Sequence, residues 1–312
     1  MTTISSFFET LRCIVLLIYY YFEAFIKKFC CASKKKIARE IVLITGSAHG
    51  IGKQIALNCA SLGAILVLWD IDEECNKETA LLAKRNGALA VYTYKCDCRK
   101  REEVYAVADQ VKKEVGDVNI LINNAGILIG KNFLDIPDYE MDETLDVNFK
   151  AHFWTCKAFL PAMIASNHGH LVSITSQAGM IGANKLSDYS ASKAAIIEFL
   201  ESVAFELQAA GKKGIKTTIV CPYYVHTRLS KGTKTTRPCL LPILDVEYVG
   251  KKIVDGIRKD NFYLFPLPVS VFAYLKVFLP TKGIFLLAEY IGIYKNLDDF
   301  EGYYNKEHNK ND

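Results

Sequence analysis

Two kinds of segment alternate along the chain from residue 41 onward. Short apolar runs rich in β-branched residues occupy 41–45, 64–70, 89–96, 120–123, 171–175 and 216–221. Between them, apolar positions recur at helical spacing over 51–62, 73–85, 102–115, 139–164, 188–210 and 245–259. The runs have strand length and the intervening patterns have helix length. The alternation predicts an α/β fold, a single doubly wound and mainly parallel sheet with helices on both faces. Ligands of such sheets bind beyond the carboxyl ends of the strands, so the loops after each run are where chemistry is expected.

The two ends of the chain follow a different pattern. Residues 13–26, CIVLLIYYYFEAFI, are apolar apart from Glu23. As a helix this run reaches about 21 Å, short of a ~30 Å hydrocarbon core. The tyrosines, Glu23 and the flanking Lys27 and Lys28 suit an interface, and the segment is read as an uncleaved membrane anchor. A signal peptide is disfavoured by the lack of a basic start and by Glu23. The basic cluster Lys27, Lys28, Lys34, Lys35, Lys36 and Arg39 should stay cytoplasmic, which places the rest of the chain in the cytosol. Cys30 and Cys31 are either palmitoylation sites or ordinary thiols. Toward the other end, 262–294 is strongly apolar but is interrupted by Pro266, Pro268, Pro280, Lys276 and Lys282. It reads as a membrane-facing surface or lid, or equally as a core cover with a dimer contact. The expected organisation is an anchor at 1–36, a catalytic domain at 37–265 and an apolar segment with a polar tail at 266–312.

Composition removes several alternatives. In 312 residues, 51% are hydrophobic, so a sizeable core is assured, and the net charge of +4 is too small and too dispersed for a nucleic-acid surface. The ten cysteines lack paired zinc spacing and the chain has no Asn-x-Ser/Thr sequon, which points to free thiols in a reducing compartment and to no metal site.

The strand-end loops carry the candidate chemistry. After the first run comes TGSAHGIG, 45–52. Gly46 permits a tight exit from the strand. Gly50 and Gly52 allow close approach of a phosphate to amides at a helix start. The spacing does not fit a P-loop, because five residues rather than four separate Gly46 from Gly52 and Gln54 follows Lys53. The second run ends at Asp70, placed to accept hydrogen bonds from an adenosine ribose diol and to repel a 2′-phosphate, so NAD is preferred over NADP. An N-cap for the next helix is the competing role. Asp97 ends the third run and either reaches the adenine amino group or caps a helix near Arg99. The fourth run ends NNAG, with Asn123, Ala125 and Gly126 small or polar enough for cofactor approach. After the fifth run stands Ser176, then Tyr189 and Lys193 in YSASK, one turn apart on one helix face. A nearby ammonium is expected to lower the tyrosine pKa, while Ser176 donates to a substrate oxygen.

Taken together these residues resemble the short-chain dehydrogenase/reductase family, whose fold is Rossmann-like. TGSAHGIG matches its Thr-Gly-x-x-x-Gly-x-Gly loop, NNAG its fourth-strand motif, and Ser176, Tyr189, Lys193 and Asn148 (in DVNFKAH) its active site. The flanks are most similar to membrane-associated retinol and steroid dehydrogenases of the epidermal retinol dehydrogenase group. The resemblance implies that Tyr189 is the acid/base and that Lys193 lowers its pKa and holds the nicotinamide ribose. Ser176 is then the substrate-oxygen ligand, and Asn148 holds a water leading to Lys193. It implies NAD contacts from Gly46, Ser47, Gly50, Ile51, Gly52, Asp70, Asp97, Asn123, Ala125, Gly126, Tyr189, Lys193, Pro222, Val225 and Thr227. One departure stands out: CPYYVHT has Tyr223 where the family has Gly after Pro222. The implied reaction is oxidation of a lipophilic alcohol, retinol first and a steroid or long-chain alcohol second. Its implied setting is the endoplasmic reticulum membrane or a lipid droplet, with a homodimer as the family expectation. A lipid-binding protein with a vestigial nucleotide fold is the alternative of a different class.

Overall fold

The computed structural model describes residues 3–29, 34–267 and 274–301. It forms two compact units, Met1–Lys35 and Lys36–Asp312. The first unit is one helix, α1 (Thr3–Phe29), longer than its apolar run. Side chains all round it are exposed, among them Phe8, Val15, Ile18, Tyr21 and Phe22. Glu9, Arg12 and Glu23 interrupt its apolar sequence. Among the described residues no helix is long and apolar enough to cross a membrane.

The second unit is built on a seven-stranded sheet. Its strands are β1 (Ile41–Thr45), β2 (Ile65–Asp70), β3 (Ala90–Lys95), β4 (Ile120–Asn123), β5 (Gly169–Ile174), β6 (Ile215–Val220) and β7 (Tyr263–Leu264). The order is β3-β2-β1-β4-β5-β6-β7, and every pairing is parallel. The first six strands lie where the apolar runs predicted them. The two-residue β7 went unseen inside the apolar 262–294 stretch, because a strand that short has no periodicity to read. The described residues 266–267 and 274–301 belong to this second unit.

Successive strand residues face opposite sides, and both sides are buried. Val42, Ile44, Leu66, Leu68, Ile120 and Ile122 pack beneath α2 (Gly50–Ala60), α3 (Glu73–Arg85) and α8 (Val246–Arg258). Leu43, Val67, Trp69, Leu121 and Leu171 pack beneath α4 (Arg101–Glu114), α6 (Ala151–Ser166) and α7 (Ser187–Ala209). That is why the strands read as unbroken apolar runs rather than as alternating ones. Trp69 is fully buried against Phe159 (ring centroids 5.8 Å apart), and its removal should cost about 3–5 kcal/mol. Local signals set the helix starts: the Asp72 side chain caps α3 at the Cys75 amide and Asp245 caps α8 at the Tyr248 amide.

The predicted helix over 139–164 is three elements: α5 (Asp138–Leu145), a π-helical turn (Asp146–Lys150) and α6. The inserted turn holds Asn148. Interruptions of this kind are frequent at functional sites.

Candidate active site

The carboxyl ends of β1, β2 and β4 make one half of a cleft. The chain leaves β1 with Gly46 at φ +66, and the amides of Gly46 and Ser47 donate to Trp69 O at 2.8 and 3.3 Å. NNAG is clamped to the same loop. Thr45 Oγ1 accepts from the Asn124 and Ala125 amides at 3.0 and 3.1 Å, and Asn124 Nδ2 donates to the Thr45 and Gly46 carbonyls at 3.0 and 2.9 Å. The packing leaves no room for side chains. A Cβ on Gly52 would sit 2.2 Å from Gly46 O, and one on Gly46 would sit 2.8 Å from Ala125 Cα. The N-cap of α2, His49, makes no side-chain cap, and the first turn of that helix carries no acid. Its orphan amides and positive dipole end therefore suit an anion.

Asp70 closes this half. Its two carboxylate oxygens accept from the Ala48 and Asp72 amides at 2.8 and 2.9 Å. Burial raises its pKa, and these bonds offset part of the rise. The helix cap is Asp72, so the competing role considered for Asp70 falls away. Each Asp70 oxygen keeps a further lone pair for a ribose hydroxyl.

The other half is assembled after β5 and β6. Lys193 is buried and its Nζ donates to Ile174 O at 3.0 Å, 5.5 Å from the centre of the Tyr189 ring. Asn148 Oδ1 accepts from the Ile127 amide at 2.8 Å, and its Nδ2 donates to Ile127 O at 3.0 Å and Ser192 Oγ at 3.1 Å. Ser192 Oγ in turn donates to Tyr189 O at 2.7 Å. The halves meet at Gly126, where an added Cβ would lie 3.2 Å from Asn148 Oδ1 and 3.4 Å from Lys193 Nζ. The four expected catalytic residues thus share one corner, with Ser176 close enough to the Tyr189 phenol to oppose the rise of its pKa.

Ionisation here differs from the expected lowering of the tyrosine. Burial pushes Tyr189 up to about 12, opposed by the Ser176 hydrogen bond. Burial also pushes Lys193 down to about 8. The protein alone therefore keeps the proton on the phenol.

Several predicted cofactor residues spend their side chains elsewhere. Asn123 Oδ1 accepts from Thr155 Oγ1 at 2.8 Å, turned toward α6 rather than the cleft. Ser47 Oγ is buried and donates to Asn76 Oδ1 at 2.8 Å. Asp97 accepts from the Arg99 amide and side chain at 3.1 and 3.0 Å; burial pushes its carboxyl up, but Arg99 outweighs that and holds it below its usual range. Ile51 packs on the core, Val225 is buried and Pro222 O accepts from the Gln177 amide at 2.9 Å. Thr227 lies over Gly50, whose Cβ would meet Thr227 Cγ2 at 3.3 Å. Two contributors were missed. Asn124 is the clamp described above, and Arg228 Nη1 lies 2.9 Å from His49 Nε2. His49, Asp72 and Cys75 bring three ligand atoms within 4.8 Å of one another, but the guanidinium beside His49 disfavours a cation there.

Known proteins are similar to this chain. A family model described as short chain dehydrogenase matches residues 40–238. The chain is 56% identical over 269 residues to the Mus musculus protein named epidermal retinol dehydrogenase 2, covering 86% of this chain and 87% of that one. It is 42% identical over 254 residues to the Homo sapiens protein named 17-beta-hydroxysteroid dehydrogenase 13, covering 81% and 83%. A solved short chain dehydrogenase/reductase from Burkholderia phymatum, in complex with NAD, is similar with a TM-score of 0.70 at 25% identity, covering 81% of this chain and 96% of that one.

Proposed function

The chain belongs to the short-chain dehydrogenase family and is an oxidoreductase, and from that premise we propose that it oxidises a lipophilic alcohol, all-trans-retinol first, with NAD. The observation that carries the reading is the corner where Gly126, in the segment that Asn124 clamps to the glycine loop, meets Asn148 and Lys193.

The residues fit the cofactor. The uncapped amides at the start of α2 suit the pyrophosphate, and the paired oxygens of Asp70 suit the ribose diol. Asp70 also opposes a 2′-phosphate. Gly126 leaves space beside Lys193 for the nicotinamide ribose. Bound NAD would supply the carbon that accepts the hydride.

The protein's part is proton transfer and positioning. Ser176 and Tyr189 together hold the alcohol oxygen, and Tyr189 takes its proton. A phenol held at about 12 carries its own proton, so it must first release that proton and then accept the alcohol's as the phenolate. Lys193 favours the phenolate while it is charged. The chain Asn148–Ser192–Tyr189 O fixes the helix that carries the pair.

Retinol ranks before a steroid because the retinol-named relative is 56% identical and the steroid-named one 42%. The exposed apolar surface of α1 supports an anchor lying in the membrane interface, with the basic residues beside it on the cytosolic side of the endoplasmic reticulum. A panel of retinol, a hydroxysteroid and dodecanol, run with NAD and with NADP on microsomes carrying the full chain, tests the reading. Fastest turnover is expected with retinol and NAD. Turnover of none of the three, or a preference for NADP, would contradict it. Protease treatment of the sealed microsomes should digest the catalytic unit, and protection would reverse the orientation.

A further inference from the structure

The catalytic corner is covered by a part of the chain far from it in sequence. Past α9 (Thr281–Tyr290) the chain turns at Gly292 (φ +82) and continues over 291–301. Leu297 is only 4% exposed and forms an apolar cluster with Leu128 and Leu186, against which Tyr189, Tyr224 and Phe300 pack. The Phe300 ring lies on Gly130, where an added Cβ would be 2.4 Å from it. The alcohol side of Tyr189 is thus lined partly by this strap.

Its attachments are spread along its length. The Lys234 amide donates to Asn296 O at 2.9 Å, the Glu301 amide to Lys231 O at 3.1 Å, and Asn184 Nδ2 to Tyr294 O at 3.0 Å. Three ion pairs accompany them: Lys185–Asp298 at 3.1 Å, Lys231–Glu301 at 2.7 Å, and Lys234–Asp299. Every cation belongs to a loop after β5 or β6, and every anion belongs to the strap. Buried Asn296 donates Nδ2 to the Tyr223 hydroxyl at 3.4 Å. Glycine at position 223 would offer no such hydroxyl. The aromatic that departs from the family pattern is therefore an attachment point for the strap.

We propose that residues 291–301 form the outer wall of the alcohol pocket, with Leu297 and Phe300 as the side chains that set which alcohols fit. The proposal rests on the alcohol-oxidising reading above. A wall of two large apolar side chains seated beside the base favours an apolar substrate and rejects poorly matched bulk. The ion pairs holding it are exposed and individually weak, so the wall yields to a substrate that replaces its apolar contacts.

The test compares kcat/KM for all-trans-retinol and for 1-butanol, both primary alcohols, in full-length wild type, Leu297→Ala and Phe300→Ala. The ratio of the two values is expected to change by about tenfold or more, in the range seen when a pocket loses methylene contacts, while the KM for NAD stays constant. An unchanged ratio in an active enzyme overturns the proposal. Should Leu297→Ala fail to fold, Phe300→Ala carries the comparison alone. If the wild type oxidises neither alcohol, the functional reading fails separately. Retinol binding followed by its fluorescence then decides: altered affinity in either variant supports the wall, and unaltered affinity in both refutes it.

Discussion

The two halves of the cleft are built by different means. The nucleotide half is made largely of main chain. Asn124, Thr45 and Asp70 bond to backbone amides and carbonyls, and Gly46 and Gly52 are confined by backbone atoms within 3 Å. The alcohol half is made of side chains drawn from the loop after β4, the π-helical turn, α7, the loop after β6 and the strap at 291–301. The first is held by main-chain geometry. The second depends on which side chains meet there.

Substitutions in each half should separate these roles. The largest effect is expected in the alcohol half: Tyr189→Phe removes the proton acceptor and should lower turnover by about 10²–10⁴-fold. Ser176→Ala follows, at about 10²–10³-fold in kcat, since it removes a donor to the reacting oxygen. Equilibrium dialysis with NAD should find binding unchanged in both. Gly52→Ala attacks the template instead. Its methyl overlaps Gly46 O, and a penalty of about 1–3 kcal/mol should appear as weaker NAD binding and a lower Tm. A variant with normal NAD affinity would show that the loop tolerates what its packing forbids. Asp70→Ala should relax discrimination against NADP by about tenfold, worth roughly 1.4 kcal/mol, and an unchanged preference would reduce Asp70 to a brace for the loop.

Lys193 allows a comparison of function with stability. Its folded pKa of about 8 lies below the ordinary 10.5, so between those values the unfolded chain holds more protons than the folded one. Stability of the cofactor-free protein should therefore rise with pH across that window, and the burial cost is fully present below about 8. Lys193→Met removes the buried ammonium and should raise stability at pH 7 by about 1–3 kcal/mol while abolishing activity. Thermal unfolding of the two proteins at pH 7 and pH 10 checks the sign. A Tm for the variant below wild type at pH 7 would mean that the bond to Ile174 O outweighs the burial cost.

The same division explains what the sequence made legible. Six strands were readable because the sheet is buried on both faces, which leaves unbroken β-branched runs. The glycine loop, Asp70 and the YSASK pair were legible because each is a short pattern within one segment. The π-helical turn was not readable, since Asn148 takes its partners from Ile127, 21 residues away. The commitments of Asn123 to Thr155 and of Asp97 to Arg99 depend on packing, and a motif match cannot show them. The raised Tyr189 pKa escaped because burial, which follows only from the assembled cleft, exceeds the opposing influence of Ser176. The strap was hidden furthest, because Leu297 meets Leu128 only once the fold is complete.

Tyr189 should perform the proton transfer in a cleft whose nucleotide half does not need it. NAD affinity and retinol oxidation measured on one preparation each of wild type and Tyr189→Phe test it most directly. Equal NAD affinity is expected, with turnover about 10²–10⁴-fold lower in the variant. Equal turnover in the two proteins would contradict it.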